Sequence, residues 1–143
     1  KKFITNAQGF SSYSVPIYRY TEAFLIYAEA SCMADGVPSA LALERLNMIK
    51  RRAYGYDPTT ISPIDYSSGM SKDVFRDVVL NERGYEFLLE GRRWWDLKRT
   101  GRIKTAMEAA GRTFIDFRIL WPIPANEINS NPSLGQSAQN PGY

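Results

Sequence analysis

The 143-residue chain contains no histidine, which removes the commonest general base at neutral pH and the commonest metal ligand. Its single cysteine, Cys32, excludes an internal disulfide and leaves the redox compartment open. No apolar run approaches the ~18 residues of a membrane-spanning helix. Signal-peptide and lipidation patterns are missing. So are a glycine-rich phosphate loop, a Cys/His metal spacing and a nucleophile–base pair. No catalytic residue, metal or cofactor is therefore expected. The chain opens on Lys1 rather than methionine, and is expected to be a piece of something longer.

What is present points to a folded domain. Hydrophobic residues make up 44% and aromatics 13%, too much apolar surface for a disordered chain of this length. The net charge of +3 is uneven. Between Gly91 and Lys104 lie six basic residues (Arg92, Arg93, Lys98, Arg99, Arg102, Lys104) and one acid, Asp96, a surplus of five that leaves −2 for the rest.

Periodicity and punctuation predict a mainly α fold, read as one domain over 1–143. Residues 1–15 form an irregular lead-in. Residues 16–55 form a helical hairpin resembling a tetratricopeptide unit. Residues 71–110 form a helical segment, and 121–143 an extended Pro/Asn-rich tail. The first helix starts after Pro16 with Tyr20, Ala23, Phe24, Tyr27 and Ser31 on one stripe, and ends at Asp35-Gly36. Ser39 caps the second, which carries Ala42, Leu46, Ile49 and Ala53 on one face. Lys50, Arg51 and Arg52 in its last turn complement the helix dipole. Ser71 caps a long helix running to Leu89 or Glu90. Shorter helical pieces span Arg92–Lys98 and Arg102–Ala110, with a break at Gly91 and a stop at Gly101. Phe114–Trp121 reads as a short strand, and the prolines at 122, 124, 132 and 141 exclude long regular structure after it.

The long helix is the most informative segment. Phe75, Val78, Val79, Glu82, Tyr85, Glu86 and Leu89 share one face, which sets carboxylates inside an apolar stripe. A buried unpaired charge is too costly, so these acids need arginine partners. An ion-pair network of Arg19, Glu82, Arg83, Glu86, Glu90, Arg93 and Asp96 is expected. The competing idea, a glycosidase carboxylate pair, is disfavoured, because surrounding arginines depress the pKa that a general acid needs raised. Glu22 and Glu29 share a face of the first helix and are expected to pair across the hairpin.

Four blocks in order resemble the C-terminal part of the SusD/RagB family: Pro16–Ala30 (PIYRYTEAFLIYAEA), Ala40–Gly55 (ALALERLNMIKRRAYG), the Asn81–Gly101 stretch (NER…E…EGRRWWDL…RTG), and Trp121–Ile128 (WPIPANEI) with a closing Gln139–Tyr143 (QNPGY). One departure is visible: Ser137-Ala138-Gln139 separates Asn131–Gln136 from Asn140, which suggests a small bulge in the tail. The resemblance implies a largely α-helical, non-enzymatic, lipid-anchored protein on the external face of the outer membrane. It implies glycan binding and delivery to a SusC-type, TonB-dependent transporter. It also implies that family members are several times longer, with the anchor, most hairpins and most sugar-binding loops in an N-terminal portion absent here. No family glycan residue carries over.

From the residues themselves, Tyr54, Tyr56 and Tyr66 are ligand-binding candidates. They flank or occupy the Tyr56–Met70 loop, and an aromatic face suits the apolar face of a pyranose. Trp121 is read as packing. Two alternatives stand beside glycan capture. One is a scaffold or interaction module only, packing on the transporter or on its own N-terminal portion. The other is a nucleic-acid-binding helical domain built on the 92–104 basic–aromatic run.

Overall fold

The computed structural model describes residues 17–143; the expected 1–15 lead-in lies outside the described residues. Six α-helices follow in order: α1 (Tyr20–Asp35), α2 (Ala40–Ala53), α3 (Lys72–Glu86), α4 (Arg93–Arg99), α5 (Ile103–Ala109) and α6 (Ala125–Ser130). Two 3₁₀ turns, Asp116–Ile119 and Gln136–Ala138, complete the inventory, and no strand occurs among the described residues. The fold class is mainly α. The chain divides into two compact units, one ending at Glu86 and one beginning at Phe87.

In the first unit, α1 and α2 form a hairpin against which α3 packs. Local chemistry explains its punctuation. Gly36 takes φ 78°, and its N–H reaches the Cys32 carbonyl, closing α1 with the left-handed cap that only glycine adopts at no cost. The Ser39 side chain accepts from the Ala42 N–H, and Ser71 Oγ accepts from the Val74 N–H at 3.4 Å, so both serines open helices.

The core of this unit is Leu25, Ala28 and Cys32 from α1, Ala42, Leu46 and Ile49 from α2, and Phe75, Val79 and Leu80 from α3. This corrects the expected stripe of α1. The buried face carries Thr21, Leu25, Ala28 and Cys32, while Tyr20, Ala23 and Tyr27 are exposed. Apolar side chains occur all round α1, so spacing alone does not select a face. Small Ala28 and Cys32 allow close helix approach, and the bulky rings are left outside, where Tyr20 meets Phe24 edge-on at 4.9 Å. Helix α1 also begins at Tyr20, later than Pro16 suggested.

Helix α3 ends at Glu86, short of the expected Leu89 or Glu90. Arg19 Nη2 donates to the Glu86 carbonyl oxygen at 2.9 Å, which satisfies a C-terminal acceptor from outside the helix. Three residues later Leu89 adopts φ 65°, incompatible with continued helix.

In the second unit, α4 and α5 are short and separated at Gly101, as the sequence reading placed them. The expected strand at 114–121 is instead irregular chain around the 3₁₀ turn, since no neighbouring strand exists among the described residues to take up its backbone bonds. The tail carries α6 where only extended chain was expected, and it is clasped to residues 120–123. Gln139 Oε1 accepts from the Ile123 N–H at 2.7 Å, and Gln139 Nε2 donates to the Ile123 carbonyl at 3.0 Å. Asn140 Nδ2 donates to the Trp121 carbonyl at 2.7 Å, and the Tyr143 hydroxyl to the Leu120 carbonyl at 2.9 Å. Gln139, the last residue of the Ser137–Gln139 interruption, thus makes two of these bonds. Gly142 has φ 91°, and a Cβ there would clash with the Phe117 ring, so the clasp requires glycine.

Candidate functional site

Two polar constructions occupy the first unit. The first gathers three elements on one carboxylate. Glu86, at the end of α3, accepts from Arg19 Nη1 at 2.5 Å and faces Arg52 Nη2 of α2 at 2.7 Å. Arg52 also donates to Thr21 Oγ1 of α1 at 3.2 Å. Burial pushes the Glu86 carboxyl up, but Arg52 and Arg19 together outweigh it, and the group sits below its ordinary value. Nearby, Arg83 of α3 lies 3.5 Å from Glu22 of α1, both buried, and Arg76 lies 3.6 Å from Glu29.

The second construction centres on Arg51, whose side chain is only 1% exposed. A guanidinium has five N–H donors. Nε donates to Asp65 Oδ1 at 2.7 Å, and Nη2 to Asp65 Oδ2. Nη1 donates to Glu44 Oε1 at 2.8 Å and to the Pro58 carbonyl at 2.9 Å, while Nη2 also reaches Glu44 Oε2 at 3.0 Å. Every donor is engaged. Arg51 holds the Asp65 carboxyl below its usual range. Arg51 lies in the last turn of α2, as expected, and is in addition the pin that folds the 57–69 loop back along α2. Asn47 continues the attachment, accepting from the Tyr66 N–H at 2.8 Å and donating to the Tyr66 carbonyl at 3.3 Å.

Tyr66 is consequently fixed. Its hydroxyl donates to Glu82 Oε2 at 3.2 Å, and Lys50 Nζ stands 3.7 Å from its ring centroid. Burial, with Glu82 beside it, pushes the phenol up to about 12. Glu82 itself is raised by burial, against the lowering effects of the Tyr66 bond and Lys50. Glu82 and Glu86 share α3 yet shift in opposite directions, because among the described residues arginines reach Glu86 and not Glu82.

The three candidate tyrosines do not form one surface of equal character. Tyr54 and Tyr56, just past α2, are 67% and 48% exposed. Tyr66 is half-buried, with a cation on its ring. Between the N-terminal half of α2 and the loop lies a cleft of about 510 Å³, whose lining includes Leu43, Glu44, Arg51, Ile61, Asp65 and Tyr66. Sequence reading did not single out Glu44, Asp65 or the cleft. The seven-residue spacing of Glu44 and Arg51 on α2 was the available signal.

The other expected network members lie in the second unit. Asp96 is buried and accepts from Arg99 Nε and Nη2 at 3.0 and 2.8 Å. Glu90 and Arg93 are each engaged by neighbours. Lys104 lies 3.6 Å from Asp116, and Trp121 is 71% exposed rather than packed. Among the described residues no group of three or more acidic, histidine or cysteine side chains could hold a metal, and no helix is long and apolar enough to cross a membrane.

An all-helical hairpin with a third helix and a clasped tail matches one family. The SusD family model matches residues 1–143, and the chain belongs to that family. Among curated proteins it is 34% identical over 126 residues to SusD-like protein P38 of Formosa agariphila, covering 87% of this chain and 24% of that protein. SusD-like protein P2 of the same organism is 30% identical over 146 residues, covering 96% and 27%. A solved SusD homolog from Bacteroides thetaiotaomicron superposes with a TM-score of 0.76 at 29% identity, over 89% of this chain and 26% of that one. A SusD superfamily protein from Parabacteroides distasonis gives 0.73 at 28% identity, over 96% and 29%. The chain therefore spans about a quarter of the length of the relatives it matches.

Proposed function

We propose that this chain serves non-catalytic capture of oligo- or polysaccharide at the cell surface and its delivery to a SusC-type, TonB-dependent transporter. The observation that carries the reading is the family match over residues 1–143. The working location is the external face of the outer membrane, held there by a lipid anchor. Tyr54 and Tyr56 are the ring faces best disposed to stack on sugar, being exposed beside the pinned loop. Tyr66 contributes through its position in the cleft wall rather than as a free platform. Arg19, Arg83 and Glu86 serve as a structural device, Glu86 binding Arg19 and Arg83 facing Glu22 of α1, whereas Glu82 holds the Tyr66 hydroxyl rather than an arginine among the described residues, which corrects its expected place in the ion-pair network. Glu90, Arg93 and Asp96 take the same role in the second unit.

A second reading, a scaffold that docks other parts of a longer assembly and never touches sugar, is favoured by how many charged side chains already bridge α1, α2 and α3. Nucleic-acid binding has less support, since Arg99 and Lys104 of the basic run face Asp96 and Asp116. Native affinity electrophoresis of this chain through starch, levan, arabinan and mannan gels, with a DNA lane beside them, separates the three. Retardation by a glycan that Tyr54→Ala/Tyr56→Ala abolishes supports capture at the tyrosines. Migration unchanged in every gel supports the scaffold. A shift with DNA alone supports the third.

A further inference from the structure

We infer that the cleft between α2 and the 61–69 loop is a subsite for neutral sugars that discriminates against sulfated or uronic-acid glycans. The inference rests on the glycan-capture reading and adds to it a second place, apart from Tyr54 and Tyr56, which do not line the cleft, and a substrate class. Its volume, about 510 Å³, falls in the range of small-ligand pockets and accommodates one or two pyranose rings.

The lining has the chemistry of sugar recognition. Leu43 and Ile61 offer apolar surface for the C–H face of a ring, Ile61 being 86% exposed. Glu44 and Asp65 offer carboxylate oxygens, which accept hydrogen bonds and donate none. Sugar hydroxyls are donors that such acceptors bind well, and charge assistance shortens and strengthens the bonds. Both carboxylates are fixed in advance by Arg51, so little ordering is left to the moment of binding.

The exclusion follows from the same bonds. Among the described residues, Arg51 is the only cation of the lining. Its five N–H donors are all engaged by Asp65, Glu44 and Pro58, so no charged donor of the guanidinium is left for an anionic glycan. Among the lining residues two carboxylates stand against one guanidinium, with Lys50 on the Tyr66 ring beside them, and the Glu44 side chain is 40% exposed. A sulfate or carboxylate entering there meets the like charge of Glu44 and Asp65, a repulsive element that gives specificity.

The test compares affinity electrophoresis of the chain and of Ser68→Lys in neutral gels (arabinan, mannan, levan) and in anionic ones (polygalacturonate, alginate) at low ionic strength. Mobilities are taken relative to polymer-free gels. Ser68 lines the cleft, is exposed and lies apart from the Arg51 bonds, so the variant adds a cation without disturbing the pin. The expected result is retardation by a neutral polymer, binding of anionic ones at least about tenfold weaker, and a gap narrowed by Ser68→Lys. Anionic polymer bound as tightly as neutral polymer overturns the inference and leaves glycan capture standing. A preference that Ser68→Lys does not change also overturns it, by placing the sugar elsewhere. No retardation by either class overturns both.

Discussion

Arg51 and Asp65 meet in a two-point bond, Nε to Oδ1 and Nη2 to Oδ2, that ties the second helix to a loop fourteen residues further along the chain. The bidentate fork suits a carboxylate better than any single contact, and a lysine cannot reproduce it. Everything at the cleft depends on this bond, since the loop contributes one wall of it.

Breaking the pin should therefore cost more than an ordinary surface change. Arg51→Ala leaves Asp65 and Glu44 facing each other with no cation between them. It is expected to destabilise the fold by about 3–5 kcal/mol in denaturant melts. Arg51→Lys should recover only part of that. A loss under about 1 kcal/mol for Arg51→Ala would show that the loop holds itself in place.

Glu86 binds arginines from two other elements, and its side chain is 9% exposed. Glu86→Ala is expected to destabilise by roughly 2–5 kcal/mol, because Arg19 is left partly buried without its carboxylate. Urea unfolding of the variant against the parent chain checks it.

The two acids of α3 should respond to pH in opposite senses. Glu86 and Asp65 have lowered folded values, so they contribute stability above their unfolded values, roughly 4.3 and 3.9, and lose it as pH falls through the lowered ones. Glu82 has a raised folded value. Its contribution is complete below the unfolded value and fades as pH rises through the folded one. Glu82→Gln keeps an acceptor for the Tyr66 hydroxyl and removes the buried charge. It should be more stable than the parent at pH 7 and close to it near pH 4. Thermal melts across that range decide the matter, and equal melting at both pH values would refute the buried charge.

Leu89 is 84% exposed and sits at φ 65°, where a branched side chain crowds its own backbone. Leu89→Asn tolerates that conformation and forfeits little packing. A gain of about 0.5–1 kcal/mol is expected in denaturant melts. A loss would mean that the leucine side chain is held by something other than its own strained turn.

The readable parts of this chain were those governed by near neighbours. Ser39, Gly36, Ser71 and Gly101 each did what cap and turn chemistry requires, because the groups they satisfy lie within a turn. That Glu86 needs an arginine was equally readable, since a carboxylate on an apolar face cannot stay alone. Arg19, 67 residues away, was among the partners expected of the network, but Arg52 of α2, which also reaches Glu86, was not. The buried face of α1 was misjudged because ring size is a poor guide when small residues permit tighter packing. Arg51 was hidden among three adjacent basic residues of one helical turn, and only the acids that converge on it, Glu44 and Asp65, mark it as internal. Tyr66 looked like a free ring on a loop; Asn47 and Glu82, on two different helices, hold it.

The tail clasp has a mechanical consequence. Its contacts pair 123 with 139, 121 with 140 and 120 with 143, so the two segments run in opposite directions. Tension applied at Tyr143 against the chain entering Leu120 would not load these bonds in parallel. It would peel them outermost first, Tyr143, then Asn140, then Gln139, each yielding before the next is strained. The clasp is built to hold position against thermal motion but to open progressively under a small, steady pull.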